Sequence, residues 1–198
     1  MALDHKIRII GGFLKGRKLE VLDLEGLRPT TDRARETLFN WIGNKVIGAS
    51  VLDLFAGSGA LGLEAYSRGA ARVTLVEKDS SNAALLKSTV KTLPAQPDSG
   101  FSSGSEAVSV HTGDALAFLQ NLPQGQGFDL IFLDPPFASD LLEPAVKLLV
   151  ERDLINENGL VYVEMGKTNK KPLFGLEMIR DEVMGASHCG LYQKSFFF

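Results

Sequence analysis

The sequence predicts an α/β fold, a mostly parallel sheet with helices on both faces, and three observations carry that prediction. From Ala49 onward, short apolar runs alternate with segments of helical period. Several of those runs are apolar almost throughout, as parallel strands covered on both sides must be. A glycine-rich turn, Gly57-Ser58-Gly59-Ala60-Leu61-Gly62, joins the first such run to the helix that follows it. The 198 residues, 44% hydrophobic and 23% charged, form a core-building soluble globule and not a disordered, collagenous or coiled-coil chain.

Two β-rich runs, Lys6–Ile10 and Arg17–Leu22, flank Gly11, Gly12 and Gly16 and predict a hairpin. This arm is taken as residues 1–26, ahead of a main domain over 27–198. In the segment Leu27–Asn44, Arg28-Pro29-Thr30-Thr31 supplies a pre-proline residue and a threonine cap. Ala34, Leu38, Trp41 and Ile42 then repeat at helical spacing, so the helix should bury Trp41 and turn Arg33 and Arg35 away from the core. Strands follow at Ser50–Phe55, Arg72–Glu77, Val108–His111, Phe128–Leu133 and Leu160–Glu164. Helices are expected near Ala60–Ser67, Ser80–Leu93, Ala115–Asn121 and Leu141–Arg152. Between Pro94 and Glu106 eight of thirteen residues are Pro, Gly or Ser, the composition of a long surface loop. The segments Leu173–Ile179 and Leu191–Phe198 predict a terminal antiparallel pair.

Charge is unevenly distributed. Residues 1–45 hold nine Lys and Arg against six Asp and Glu, while residues 46–198 hold twelve against eighteen. A basic arm on an acidic body points to a polyanionic partner, with Arg8, Lys15, Arg17, Lys18, Arg28, Arg33 and Arg35 as candidate phosphate contacts. The single cysteine, Cys189, excludes an intramolecular disulfide and fits a reducing compartment. The start of the chain lacks a continuous apolar signal segment and no run reaches the length of a membrane helix, so a cytoplasmic location is expected, without a membrane partner. His5, His111, His188 and Cys189 share no metal-ligand spacing, and no metal is expected.

The glycine turn brings backbone close to a ligand at a helix N-terminus, which suits a dinucleotide and S-adenosylmethionine equally. Acidic residues at the strand ends separate the two. Asp53, Glu77, Asp114 and Asp134 each fall at or just past the end of a predicted strand, and in an open parallel sheet those ends share a crevice. Four carboxylates repel a pyrophosphate and attract a sulfonium and an ammonium. Candidate cofactor residues are therefore Asp53, Phe55, Ala56, Gly57, Ser58, Gly59, Glu77, Lys78, Asp114 and Ala115. Glu77 suits the ribose hydroxyls, and Asp114 suits the adenine amine or, alternatively, a helix cap.

Asp134-Pro135-Pro136-Phe137, directly after Phe128–Leu133, carries the chemistry. Prolines hold an extended turn and still present carbonyl oxygens. Asp134 and the Pro135 carbonyl can accept both hydrogens of one exocyclic amine, orienting its nitrogen toward a methyl on sulfur. Phe137 offers a ring on which an extruded base stacks.

These motifs resemble the bacterial 16S ribosomal RNA (guanine-966-N2)-methyltransferase family, within the class I S-adenosylmethionine-dependent, Rossmann-like fold. The resemblance spans Arg8–Gly12 with Gly16-Arg17, Leu27–Glu36, Leu52–Gly59, Glu64-Ala65 with Ser67–Ala70, and Phe132–Phe137. It implies a seven-stranded, mostly parallel sheet, S-adenosylmethionine on the glycine loop and Glu77, and Asp134, Pro135, Pro136 and Phe137 around the target amine. Its implied partner is 16S RNA in the small subunit or an assembly intermediate, held in part by the hairpin. An adenine N6 or other amino-methyltransferase on a different nucleic acid shares the Asp134 motif, although the nineteen residues between Asp114 and Asp134 leave no room there for a recognition domain. A non-catalytic RNA-binding module and an NAD-dependent oxidoreductase are the remaining readings.

Overall fold

In the computed structural model the described residues are 5–22, 31–136, 139–166, 172–185 and 187–195. The chain opens with an antiparallel hairpin, β1 (His5–Arg8) and β2 (Lys18–Val21), in register Ile7 to Leu19. Helix α1 (Asp32–Ile42) begins at Thr31, whose side chain accepts the Ala34 N–H. There follow β3 (Ser50–Asp53), α2 (Ala60–Ser67), β4 (Arg72–Glu77), α3 (Ser80–Lys91), β5 (Val108–Thr112), α4 (Ala115–Asn121), β6 (Phe128–Leu133) and α5 (Leu142–Glu151). The strands β7 (Ile155–Gly166), β8 (Leu176–Met184) and β9 (Ser187–Lys194) close the fold.

The seven-stranded sheet has the order β5-β4-β3-β6-β7-β9-β8. Strands β3 to β7 are parallel, and β9 joins antiparallel to β7 and β8. The chain runs outward from β3 to β5 and then returns beside β3 as β6, so the order reverses between β3 and β6. A crevice opens at such a switch point, outside the carboxyl ends of the strands. Asp53 ends β3 and Asp134 follows β6, one on each lip.

Two apolar clusters cover the sheet faces. One joins Ile9, Leu14 and Leu19 of the arm and Leu38, Phe39 and Ile42 of α1 to Val51, Phe132 and Tyr162. The other packs α4 and α5 against Leu52, Ile131, Leu133 and Val161.

Four expectations need correction. Trp41 is only half-buried, and Phe39 takes its place in the core, edge-on to Phe132 with centroids 6.0 Å apart. Arg35 faces inward, fully buried beside Leu38, Phe39 and Ile42. The terminal strands form a tight hairpin over 176–194, with β8 longer than Leu173–Ile179. β8 is the sheet edge and most of its residues are exposed, so its apolar pattern ends before its pairing does. β7 also begins earlier than Leu160, because a bulge between Phe128 and Leu130 lets Ile155 pair with Phe128.

Candidate active site at the carboxyl ends of the strands

The glycine turn needs its glycines for two reasons. Gly57 and Gly59 have φ of 50° and 74°, in the left-handed region. Gly62, inside α2, lies so close to the sheet that a Cβ there would stand 2.3 Å from Leu75 Cδ2 and 3.3 Å from Asp53 Cβ. This approach brings the Gly62 N–H within 3.0 Å of Asp53 Oδ2.

Asp53 is buried, 2% exposed, and that N–H is its hydrogen bond. Burial pushes its pKa up to about 7, and the neighbouring Glu77 carboxylate adds to the rise against the lowering effect of Gly62. Glu77, half-buried, accepts the Asp79 N–H at 2.7 Å and an Asn82 amide hydrogen at 3.2 Å. Asn82, 1% exposed, also donates to the Gly57 carbonyl, tying the glycine turn to the end of β4. Sequence reading missed Asn82. Its available signal was a polar residue on the core-facing side of α3, three positions after the Asp79 cap.

Asp114 caps α4, Oδ1 accepting the N–H groups of Leu116 and Ala117 at 3.0 and 3.1 Å. Its Oδ2 lies 3.8 Å from Lys78 Nζ. Capping and a ligand contact are compatible, because the cap uses one oxygen. Ala115 is buried directly behind it, and Lys78 is exposed. Phe55 is half-buried and Ala56 buried; the Ala56 N–H donates to the Val76 carbonyl at 2.9 Å, and Ser58 stands between the two left-handed glycines.

On the opposite lip, Asp134 is half-buried, Pro135 buried and Pro136 exposed. Both prolines line a cleft of about 380 Å³ with Ser139, Leu142, Glu164 and Met165. Phe137 lies outside the described residues, as does Arg28.

The basic candidates divide. Lys15, Lys18 and Arg33 are exposed. Arg8 is exposed but lies 3.5 Å from Asp32. Arg17 donates to the carbonyl and hydroxyl of Thr92 at 3.0 and 2.7 Å, joining the hairpin to α3. Arg35, expected among the phosphate contacts, is corrected out of that set. Its guanidinium lies wholly inside, donating to Asp32 and the Arg8 carbonyl and standing 3.6 Å from Glu64.

Glu64 organises this region. It is fully buried and accepts the Ile10 and Gly11 N–H groups at 2.9 and 2.8 Å and Arg68 Nε at 2.7 Å. Ser67 accepts the Leu14 N–H and donates to the Gly11 carbonyl, and a Cβ on Gly12 would fall 1.8 Å from the Ser67 carbonyl oxygen. The motifs at residues 8–12, 31–36 and 64–69 are thus three sides of one joint fastening the arm to α2.

A mostly parallel seven-stranded sheet, a left-handed glycine turn and a carboxylate-lined crevice facing an Asp-Pro-Pro turn define a class I methyltransferase. The chain belongs to the family described as "Conserved hypothetical protein 95", whose model matches residues 7–193. A relative from Haemophilus influenzae, named ribosomal RNA small subunit methyltransferase D, is 44% identical over 96% of this chain and 94% of its own. The protein of that name from Escherichia coli is 42% identical over 96% and 90%. A solved Escherichia coli structure, described as a candidate methyltransferase, superimposes with a TM-score of 0.80 at 41% identity, covering 96% of this chain and 98% of the other.

Proposed function

We propose that the protein methylates the exocyclic N2 amine of a guanine in 16S ribosomal RNA, of the guanine-966 type, in the small subunit or an assembly intermediate. The observation that carries this reading is the placement of Asp134 and Pro135 across the β3–β6 switch point from Asp53 and the glycine turn. The relatives' name, ribosomal RNA small subunit methyltransferase D, supports the substrate class.

The residues around the glycine turn fit S-adenosylmethionine. A buried carboxyl held near pKa 7 beside a second carboxylate favours a ligand that brings positive charge. When bound, S-adenosylmethionine supplies an electrophilic methyl on a sulfonium. Phe55 to Gly59 would give it a backbone bed, Glu77 would accept from its ribose, and Asp114 Oδ2, with Lys78 and Ala115 nearby, would accept from its adenine amine. Asp134 and the Pro135 carbonyl accept the two hydrogens of the guanine amine and aim the nitrogen lone pair at the methyl. With the amine held this way, transfer would form N–C as the sulfonium C–S bond broke, and the amine proton would leave to solvent. Pro136 and Phe137 wall the base. Lys15 and Lys18 of the arm, residues 1–26, and Arg33 on α1 of the main domain, residues 27–198, hold phosphates together with Arg8 and Arg17; Arg28 stays in this proposed set.

On this reading the enzyme works in the cytoplasm, where its RNA is. Among the described residues no helix is long and apolar enough to cross a membrane. Labelled S-adenosylmethionine with small subunits from cells lacking the enzyme should yield N2-methylguanine on nucleoside analysis. Label in N6-methyladenine, or preferential labelling of DNA, overturns the substrate assignment.

A further inference from the structure

We propose that Glu164 is the residue that selects guanine, by accepting the hydrogen on guanine N1 while Asp134 and Pro135 hold the N2 amine. This rests on the methyltransferase reading above and deepens it. The Asp-Pro-Pro turn alone recognises an amine and serves adenine N6 as well as guanine N2. What distinguishes the two bases is the neighbouring ring nitrogen: guanine N1 carries a hydrogen, and adenine N1 carries a lone pair.

The sheet places Glu164 to read that atom. Leu133 of β6 pairs with Val163 of β7, so Asp134 and Glu164 come next, level with each other on neighbouring parallel strands spaced about 5 Å apart. Alternation puts Asp134 on the face of Phe132 and Glu164 on the face of Tyr162, and those two rings already meet edge to face at 6.4 Å. Glu164 is 8% exposed and lines the same cleft as Pro135 and Pro136.

One of its two oxygens is engaged from within the protein. The Tyr162 hydroxyl donates to Glu164 Oε2 at 3.4 Å, and that is the hydrogen bond Glu164 makes among the described residues, so Oε1 is left for a donor from the cleft. Cys189 pairs with Glu164 across β7 and β9, and burial pushes its thiol up to about 11. Burial first, then Glu164, Cys189 and Asp134, push the Tyr162 phenol well up, so it stays protonated and keeps donating. A carboxylate held this way attracts N1–H and repels the N1 lone pair of adenine. A site built to hydrogen-bond one group rejects the analogue lacking it, because its own buried polar atom is then left without a partner.

The test uses 2-aminopurine, which keeps the N2 amine, replaces N1–H with a lone pair and carries hydrogen in place of O6, so the Glu164 variant is what isolates the N1 contact. Small subunits are assembled with 16S RNA carrying either guanine or 2-aminopurine at the nucleotide the wild-type enzyme labels. Wild type should prefer guanine by about 10²-fold or more in kcat/KM. In E164Q the side-chain amide can donate to N1, so activity on guanine should fall, activity on 2-aminopurine should rise, and the preference should narrow to about tenfold or less. Cofactor affinity and the thermal midpoint of E164Q should stay near wild type. Equal loss on both substrates, or wild-type acceptance of 2-aminopurine within about threefold, overturns the assignment. If E164Q does not fold, Glu164→Ala supplies the comparison, and its loss of activity should fall on guanine and spare 2-aminopurine. If wild type instead labels adenine N6, the substrate reading fails, and the guanine selector with it; failure of the selector alone leaves N2-methylguanine as the product.

Discussion

Two carboxyl groups in this molecule are equally hidden from water and live in opposite surroundings. Glu64, under the N-terminal arm, has the Arg68 and Arg35 guanidinium groups and two backbone N–H groups around it. Asp53, at the crevice, has one backbone N–H and a second carboxylate for company. Burial costs both the solvation of a charge. At Glu64 the protein supplies the compensation, and the result is a joint. At Asp53 it withholds the compensation, the carboxyl rises to about 7, and a cationic ligand gains what the fold has left out. A fully matched buried carboxylate therefore marks architecture, and an unmatched one marks a site.

The sharpest way to break that contrast is Glu64→Ala. It leaves Arg35 buried beside a vanished partner and frees the Ile10 and Gly11 N–H groups, so urea unfolding should show a loss of about 3–5 kcal/mol. Arg35→Ala should likewise lower stability while leaving the salt dependence of RNA binding unchanged, the opposite of a phosphate contact.

On the site side, Asp134→Ala should lower turnover by about 10²-fold or more with S-adenosylmethionine still bound, as calorimetry would show. Glu77→Ala should instead raise the cofactor dissociation constant. Near-normal turnover in the Asp134 variant would remove it from the mechanism.

Asp53 gives a pH signature. Its folded pKa, about 7, exceeds the ordinary 3.8, so the folded ligand-free protein binds more protons than the unfolded chain between those values. Asp53's contribution to stability is therefore fully present below pH 3.8 and is lost as pH rises through 7, a fall on the order of 4 kcal/mol that Asp53→Asn should abolish. Positive charge from the cofactor should draw the proton off, so affinity should rise from pH 6 to 8 in wild type and stay flatter in the variant.

The smallest effect lies on the exposed surface of the arm and of α1. Neutralising Lys15, Lys18 and Arg33 together should weaken RNA binding and flatten its salt slope by roughly 0.7 for each phosphate that is no longer neutralised. An unchanged slope would return all three to ordinary solvated surface.

Local chemistry determined much of this protein in the sequence itself. The strands Arg72–Glu77 and Phe128–Leu133 and the helices Ala60–Ser67 and Ala115–Asn121 were legible to the residue, because continuous apolar runs and capping residues act over a few positions. The glycine turn and the Asp134-Pro135-Pro136 segment were legible for the same reason, since backbone conformation and carbonyl presentation are properties of neighbours in the chain. Only tertiary structure decided which charges face inward. Arg35 and Arg33 are two residues apart on one helix, and nothing local tells them apart; the buried Glu64, 29 positions further on, makes one of them core and leaves the other at the surface. Asn82 and Glu164 escaped notice for that reason as well. Each matters through a partner brought beside it by the sheet, Gly57 and Glu77 for one and the Asp134 turn for the other, and such pairings exist only once distant strands lie in register.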